Sequence, residues 1–205
     1  MVGVSNHYFS ENPESKSERG LIICTIRGIG FEFVTDSGVF SHRHLDNGTR
    51  LLIESMILPT KGKFLDMGCG YGPIGIAAAK LHPKLHVVMT DLNNRATELA
   101  VENTKRNNVN VQVFQGNLYE PVEPNIFDTI VSNPPISAGM EAVVEPLIFD
   151  SLSHLKQGGL LQLVVQSNKG GKTIEKYLDM YFGGSQILAR GSGYRVLTSK
   201  KSIKK

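Results

Sequence analysis

The feature that most constrains the fold of this chain is the alternation of short apolar runs with helical stretches from about residue 61 onward. Strands that alternate with helices join into right-handed βαβ units, and such units build a parallel sheet with helices on both faces. We therefore predict an α/β fold of the Rossmann-like type. The predicted strands are 64–67, 86–90, 111–115, 128–132 and 160–165, and the predicted helices are 74–81, 95–107, 140–154 and 172–182.

Two β-hairpins are predicted outside this alternating pattern. Residues 21–27 and 31–35 are apolar or β-branched and flank Gly28-Ile29-Gly30, which predicts a small N-terminal hairpin. Residues 186–189 and 194–197 flank the glycine-containing segment 190–193, which predicts a terminal hairpin that closes the sheet edge. No linker rich in proline and glycine divides the chain. We therefore expect one structural unit, with residues 1–50 as an N-terminal β extension packed on a core of residues 51–205.

The composition excludes several classes of protein. Of the 205 residues, 40% are hydrophobic and 20% are charged, which is typical of a globular domain with its own core. No apolar run reaches the about 18 residues that span a bilayer, and residues 1–11 lack the features of a secretory signal. The two cysteines, Cys24 and Cys69, lie far apart, so neither a disulfide nor a metal site is predicted. We expect a cytoplasmic protein that does not enter membranes.

The charge balance is mildly basic. The formal net charge is +3, and four lysines stand among the last six residues, namely Lys200, Lys201, Lys204 and Lys205. Such a segment is either a solvated chain end or a contact for the phosphates of a nucleic acid, and the sequence leaves both interpretations open.

The strongest local signal is a glycine-rich segment that runs from Asp66 to Gly75 and joins a predicted strand to a predicted helix. Its glycines let the backbone turn tightly and let a ligand approach without meeting a Cβ atom. The part from Gly70 to Gly75 also matches the dinucleotide pattern GxGxxG, so an NAD enzyme is an alternative. However, Pro73 has no N–H group for a pyrophosphate, and Asp66 would repel a pyrophosphate but attract a cation. The segment therefore favours a ligand with a cationic part.

Polar residues follow the next two predicted strands. Asp91 ends the strand 86–90, where a carboxylate can accept hydrogen bonds from both ribose hydroxyls of an adenosine. Asn117, in Gly116-Asn117-Leu118, could place an amide near an adenine. All three loops are expected at the carboxyl ends of parallel strands, where open α/β sheets bind ligands. Plain structural roles also stay open, with Asp91 as a helix N-cap and Asn117 as a turn residue.

A second motif, Ser132-Asn133-Pro134-Pro135-Ile136, points to the reaction type. The exocyclic amine of a base is a weak nucleophile, because its lone pair is delocalised into the ring. The side-chain oxygen of Asn133 and the backbone carbonyl of Pro134 can accept its two hydrogens and stabilise the charge that develops on nitrogen. The prolines hold the segment extended. We therefore predict Asn133, Pro134, Pro135 and Ile136 as the catalytic segment of an enzyme that methylates an amine-type nitrogen.

With these two motifs the chain resembles the class I S-adenosylmethionine-dependent methyltransferases. Within that class it is most similar to the small-domain family of ribosomal RNA guanine-N2 methyltransferases, and the likeness covers nearly the whole chain. The segments 7–10, 38–41, 45–49 and 193–196 resemble that family's flanking signatures.

The resemblance implies S-adenosylmethionine as cofactor and a seven-stranded sheet with one antiparallel strand. It also implies that residues 46–49 lie over the cofactor as a lid or wall. The predicted cofactor contacts are Asp66, Gly68, Cys69, Gly70, Asp91, Leu92, Asn117, Leu118, Asn133 and Thr49.

The activity that the resemblance implies is methylation of the exocyclic amine of guanine in ribosomal or other structured RNA. The chain departs from the family pattern Asn-Pro-Pro-Ile-Arg-Ala-Gly-Lys, because Ser137 and Met140 replace its two cations. Arg43, Lys169 and Lys172 are basic residues that could compensate. Two alternatives stay open, namely methylation of a protein glutamine or a small amine, and a cofactor-binding RNA assembly factor without activity. A homodimer is a further open expectation.

Overall fold

The computed structural model describes residues 11, 16–41 and 43–202. The predicted signature 7–10 and the lysines Lys204 and Lys205 lie outside the described residues. An N-terminal hairpin precedes the main sheet, as predicted, and consists of β1 (Arg19–Ile26) and β2 (Ile29–Asp36). Ile26 pairs with Ile29, so the turn lies at Arg27-Gly28, earlier than the predicted Gly28-Ile29-Gly30. Both turn residues have positive φ, at 50° and 75°, which is the two-residue turn that matches the twist of a hairpin.

The main sheet has seven strands in the order β5-β4-β3-β6-β7-β9-β8. All neighbouring pairs from β5 to β7 are parallel, and β9 runs antiparallel to both β7 and β8. The predicted Rossmann-like sheet with one antiparallel strand is therefore confirmed. The strands are β3 (Gly62–Met67), β4 (Leu85–Asp91), β5 (Gln112–Gln115), β6 (Phe127–Ser132), β7 (Leu155–Gln166), β8 (Gln186–Gly191) and β9 (Tyr194–Lys200).

Helices cover both faces of the sheet, and each face has its own hydrophobic core. One core contains Phe64 of β3 together with the hairpin residue Phe33, and the other contains the next residue, Leu65. The hairpin and helices α1 to α3 pack on the first face, whereas α4 and α5 pack on the second. The helices are α1 (Asn47–Ser55), α2 (Pro73–Leu81), α3 (Asn94–Arg106), α4 (Glu145–His154) and α5 (Gly171–Phe182).

Two helical segments differ from the sequence prediction. Helix α1 was not predicted, and it begins at the cap residue Asp46, whose side chain accepts a hydrogen bond from the Thr49 N–H. The segment 140–154 was predicted as one helix, but a π-helical turn, Met140–Val144, precedes α4. Pro146 lies in the first turn of α4 and has no N–H to donate to the preceding turn, so a regular α-helical ladder cannot run through it.

The division between residues 1–50 and 51–205 stays a prediction, and helix α1 runs across it. Of the two lysines at the end of the described chain, Lys201 is used internally, since its ammonium donates to the backbone oxygens of Leu152 and Leu155. Within the described residues, no helix is both long and apolar enough to cross a membrane.

Candidate active site

A cleft opens at the carboxyl ends of β3, β4, β5 and β6. The chain adds β4 and β5 on one side of β3 and then returns to place β6 on the other side. Open α/β sheets bind ligands at such a switch point. Most of the residues predicted from the sequence line this cleft. They are Thr49, Gly68, Cys69, Gly70, Asp91, Leu92, Asn117, Leu118, Asn133, Pro134 and Pro135.

The glycine loop after β3 forms the floor of the cleft. The backbone N–H groups of Gly68 and Cys69 both donate to the Thr90 carbonyl, at 2.8 and 2.9 Å, and so fasten the loop to β4. Gly68 and Gly70 have φ angles of 70° and 57°, which a residue with a Cβ atom rarely adopts. Apart from its chain neighbours, a Cβ atom at either glycine would meet no atom of the described residues within 4 Å, so the space above the loop is open to a ligand.

Asp66 lies beneath this loop and does not line the cleft. Its side chain is fully buried, and one carboxylate oxygen accepts the N–H of Gly75 at 2.8 Å, while the other has no hydrogen-bond partner in the described part of the chain. Burial and the nearby charge of Asp91 raise the pKa of Asp66 to about 7. An unpartnered buried carboxylate at this place is stabilised by a cationic ligand above the loop.

Asp91 connects the glycine loop to the loop after β4. One carboxylate oxygen accepts the N–H of Gly70 at 2.7 Å and the other accepts the N–H of Asn93 at 2.9 Å. Burial raises the pKa of Asp91, and these backbone N–H groups oppose that rise. Asp91 is not the cap of α3, because Asn93 holds that position and accepts the N–H of Ala96. Its remaining lone pairs are available for ligand hydroxyl groups.

The loop after β5 forms a side wall. Gly116 donates its N–H to the Asp91 carbonyl at 3.0 Å, which brings Asn117 and Leu118 to the cleft. The Asn117 backbone carbonyl accepts the N–H of Glu120 at the start of a 3₁₀ turn, Glu120–Val122. With Leu92 on the neighbouring loop, Leu118 gives this side an apolar surface that suits a flat ring.

The opposite wall is the Asn-Pro-Pro segment that follows β6. Pro135 has φ −76° and ψ 82°, and the Ile136 N–H donates to the Pro134 carbonyl at 2.9 Å, which is an inverse γ-turn. That carbonyl has a second lone pair and can still accept one more hydrogen. Ile136 itself does not line the cleft; it packs against the core of the second face and beside Gly170.

The amide of Asn133 has a defined orientation. Its nitrogen donates to the Asp46 carboxylate at 3.1 Å and to the Thr49 hydroxyl at 3.0 Å. A carboxylate can only accept hydrogen bonds, so the NH₂ end of the amide must face Asp46. Among the described residues, no donor bonds the Asn133 side-chain oxygen, which leaves that oxygen free to accept a hydrogen from a ligand.

Sequence reasoning missed two parts of this site. Asp46 was expected only as part of a lid. Aspartate is a favoured helix N-cap, but Gly48 in the first turn weakens the helical pattern, so the sequence did not indicate that α1 begins here. Val39 and Phe40, between β2 and α1, line the cleft as well, and an apolar pair in a loop gives no signal of its own.

The site fits the cofactor predicted from the sequence. It combines an open glycine floor, a partly unsatisfied acidic group beneath it, a second carboxylate for hydroxyl groups and an apolar wall. S-adenosylmethionine carries a ribose, a flat base and a cationic sulfonium, so each part of it has a chemically suitable neighbour among Asp66, Asp91 and Leu118.

The surface beside the Asn-Pro-Pro segment is where the expected cations are missing. Ser137 is exposed. The methyl group of Met140 lies so close to Gly170 that a Cβ atom at residue 170 would clash with it. Gly170 follows the exposed Lys169 and precedes α5, in which Lys172 is also exposed. The structure therefore places the loop that carries Lys169 next to the position of Met140.

Comparison with known proteins agrees with this description. The model of the family Methyltransferase small domain matches residues 30–198. The chain is 38% identical over 201 residues to the uncharacterized protein YbxB of Bacillus subtilis (strain 168), which covers 97% of this chain and 100% of that protein. It is 35% identical over 166 residues to ribosomal RNA small subunit methyltransferase C of Haemophilus influenzae (strain PittGG), over 80% of this chain and 49% of that protein. The chain thus spans about half the length of the latter relative.

Among solved structures, the fold is similar to that of the T. Thermophilus 16S rRNA N2 G1207 methyltransferase in complex with AdoMet and guanosine. The TM-score is 0.81 with 26% sequence identity, over 92% of this chain and 52% of that chain. A methyltransferase from Pyrococcus furiosus has a TM-score of 0.64 with 24% identity over 74% of this chain and 81% of that one, a likeness that concerns the fold alone.

Proposed function

Because the chain belongs to the methyltransferase small domain family, we propose that it methylates the exocyclic amine of a guanine in ribosomal RNA. It is an S-adenosylmethionine-dependent methyltransferase. The choice of RNA and of guanine is the proposed part, and it is supported by the half-length match to ribosomal RNA methyltransferases and by the guanosine in the structure of one of them.

One observation carries the proposal for an amine acceptor, namely the orientation of the Asn133 amide. Its NH₂ group is engaged by Asp46 and Thr49, so the group that it offers to the cleft is an oxygen. An oxygen at this place accepts a hydrogen from an amine, whereas an NH₂ group would repel that amine. The site is therefore suited to a nucleophile that carries N–H hydrogens.

Bound S-adenosylmethionine supplies a methyl carbon on a positively charged sulfur. The side-chain oxygen of Asn133 accepts one amine hydrogen, and the free lone pair of the Pro134 carbonyl accepts the other. These two contacts would turn the nitrogen lone pair towards the methyl carbon, and they would stabilise the positive charge that develops on nitrogen when it accepts the methyl group. The methylated nitrogen then releases its extra proton to water, so no buried base is needed.

The RNA partner is proposed to contact the exposed surface beside this wall. Gly170 contacts Met140 and lies in the sequence between the exposed Lys169 and Lys172, and lysines bind phosphates without reading the sequence. We also propose a homodimer. Light scattering tests it by comparing the mass in solution with that of one chain. The cytoplasm is the proposed compartment, in which the free thiols of Cys24 and Cys69 would stay reduced.

The proposal is tested with radiolabelled S-adenosylmethionine and an extract of cells that lack the protein. Counts that ribonuclease removes, together with N2-methylguanosine in a nucleoside mass map of the RNA, support it. Counts that a protease removes indicate a protein glutamine or another amine instead. An absence of methyl transfer in a single turnover, with the cofactor bound, indicates an assembly factor without activity.

A further inference from the structure

A chain of hydrogen bonds connects Asn133 to two residues outside the cleft. Gln166, the last residue of β7, donates from Nε2 to the Tyr194 hydroxyl at 3.0 Å. Tyr194, the first residue of β9, donates to one carboxylate oxygen of Asp46 at 3.2 Å, and the other oxygen accepts from Asn133. We propose that Asp46, Tyr194 and Gln166 are positioning residues that hold the Asn133 amide with its oxygen towards the reacting nitrogen. This inference rests on the proposed function of Asn133.

The direction of every bond in this chain follows from Asp46. Its carboxylate can only accept, so Tyr194 must donate its hydroxyl hydrogen and Asn133 must present its NH₂ group. The oxygen of Tyr194 is then left to accept, so Gln166 must also present its NH₂ group. One acidic residue therefore sets the orientation of two amides, which lie 33 positions apart in the sequence.

Asp46 is itself held in place by the backbone. The carboxylate oxygen that accepts from Asn133 also accepts the N–H of Thr49 at 2.8 Å, as the cap of α1. The Thr49 hydroxyl is the second acceptor for the Asn133 NH₂ group. The first turn of α1 thus offers Asn133 two acceptors in a fixed geometry, because both belong to one short helical segment.

The packing of Tyr194 explains a glycine near the start of α1. A Cβ atom at Gly48 would lie 2.6 Å from the Tyr194 ring, so only a glycine lets the ring reach the Asp46 carboxylate. Burial, the charge of Asp46 and the bond to it raise the pKa of the Tyr194 hydroxyl, while the bond from Gln166 opposes that rise. Tyr194 therefore remains a hydrogen-bond donor at neutral pH. The segments 45–49 and 193–196, which resemble the family's flanking signatures, meet at this contact.

Neither Asp46 nor Tyr194 is among the residues that line the cleft, so we expect them to affect a substrate through Asn133. If the acceptors were removed, the amide could turn over and present NH₂ to the substrate amine. A misoriented amide would repel only the reacting amine. The expected consequence is therefore a lower kcat, with unchanged binding of the cofactor and the RNA.

The first part of the test needs no substrate. In nitrogen-15 labelled protein, the side-chain NH₂ signals of Asn133 are assigned by their absence in Asn133→Ala. We expect these hydrogens to exchange with water at least about tenfold more slowly than those of the exposed Asn110, because the Asn133 NH₂ group donates to both Asp46 and Thr49. Asp46→Ser keeps a good helix cap but removes the carboxylate that accepts from Asn133, so the Asn133 hydrogen that faces this carboxylate should lose its protection. Asp46→Asn keeps an acceptor oxygen and should retain more of it.

The second part measures methyl transfer with the same variants. Asp46→Ser should lower kcat about tenfold and Tyr194→Phe about threefold, with the affinity for cofactor and the KM for RNA within about twofold of the parent. Tyr194→Phe should have little further effect in an Asp46→Ser background, since it acts through Asp46. Tyr181→Phe is the matched control, because Tyr181 also donates to a carboxylate, that of Glu145, but lies on α5 away from the cleft.

The two parts fail separately. Fast exchange of the Asn133 hydrogens in an active parent protein would overturn the positioning network and leave the proposed function intact. Protected hydrogens in a parent that methylates no RNA would support the network and overturn the proposed RNA function. A drop in melting temperature that fully accounts for the loss of activity in Asp46→Ser and Tyr194→Phe would reduce both residues to a structural role and overturn the inference.

Discussion

At the scale of single residues, the site depends on three side-chain oxygen groups with different surroundings. Asn133 is half-buried and has its NH₂ group engaged, Asp91 shares both oxygens with backbone N–H groups, and Asp66 is buried with one oxygen unpartnered. An amide oxygen is neutral at every pH, whereas the charge of a buried carboxylate depends on what binds near it. Mutations of these residues should therefore affect different measurements.

Asn133→Ala is expected to lower kcat by about a hundredfold or more, the scale of losing one preorganised partner of the transition state. The affinity for S-adenosylmethionine should change by less than about threefold, because Asp91 and the glycine loop remain. Steady-state kinetics on RNA and calorimetry with the cofactor measure the two quantities. A variant that turns over at the parent's rate would remove Asn133 from the reaction.

Asp66 should make cofactor binding depend on pH. Its pKa of about 7 in the free protein means that it is largely protonated below neutral pH, and a cationic ligand favours the ionised form. Affinity for S-adenosylmethionine should therefore rise by up to about tenfold between pH 6 and 8, with release of a proton on binding. Calorimetry in buffers of different ionisation enthalpy measures that proton.

Asp66→Asn is the control for this prediction. It cannot ionise, so its weaker binding should not vary with pH over the same range. The raised pKa also implies that, without ligand, the parent loses stability as pH rises from about 4 to 7, because the unfolded state gives up this proton first. If the parent and Asp66→Asn released equal numbers of protons on binding S-adenosylmethionine, another group would be responsible for the pH dependence of binding.

At the scale of elements, the loops after the strands decide what the cleft contacts. The loop between β7 and α5 carries the exposed Lys169, and Gly170 in the same loop contacts Met140 and Ile136. Gly170 has φ 76°, so a side chain at this position would be strained and would also displace Met140. This packing holds the basic loop close to the Asn-Pro-Pro wall.

Replacing Lys169 and Lys172 together by alanine should weaken RNA binding and leave cofactor binding unchanged. If each lysine contacts one phosphate, the slope of log affinity against log salt should fall by about 1 to 2. Fluorescence anisotropy with a labelled RNA at several salt concentrations measures the slope. Lys84→Ala is the control, since Lys84 is exposed just before β4, at the end of the sheet away from the cleft. Equal slopes for both variants and the parent would exclude this loop as a phosphate contact.

At the scale of the whole molecule, the buried side chain of Asn103 connects the hairpin to the main part of the fold. Asn103 of α3 accepts the N–H of Val34 at 2.7 Å and donates to the carbonyls of Val34 and Tyr71 at 2.9 Å each. The bonds to Val34 belong to β2 of the hairpin, and the bond to Tyr71 belongs to the glycine loop. Asn103 therefore couples the N-terminal segment to the floor of the cleft.

Asn103→Ala should lower the free energy of unfolding by about 2 to 4 kcal/mol, because it leaves several buried backbone groups without partners. Urea unfolding measures the loss, and hydrogen exchange should show it in the amides of β2 and β4 alike. Asn110→Ala, an exposed asparagine close in sequence, should cost less than about 0.5 kcal/mol. Faster exchange confined to the hairpin would show that it opens independently of the sheet.

The fold class, the strand ends that meet at the cleft and eleven of the residues that line it could be predicted from the sequence. These follow from local rules: apolar periodicity gave the strands, and the carboxyl ends of parallel strands share one edge. The motifs at Asp66–Gly75 and at Asn133 could be interpreted because each is continuous in the chain.

The direction in which those side chains act depends on the folded chain around them. Asp66 lies beneath the floor instead of in the cleft, Ile136 packs away from it, and Asp46 and Tyr194 support Asn133 from 87 positions upstream and 61 positions downstream. The orientation of an amide depends on acceptors brought to it by folding, and burial depends on everything packed around a group. Neither property is contained in the spacing of residues along the chain.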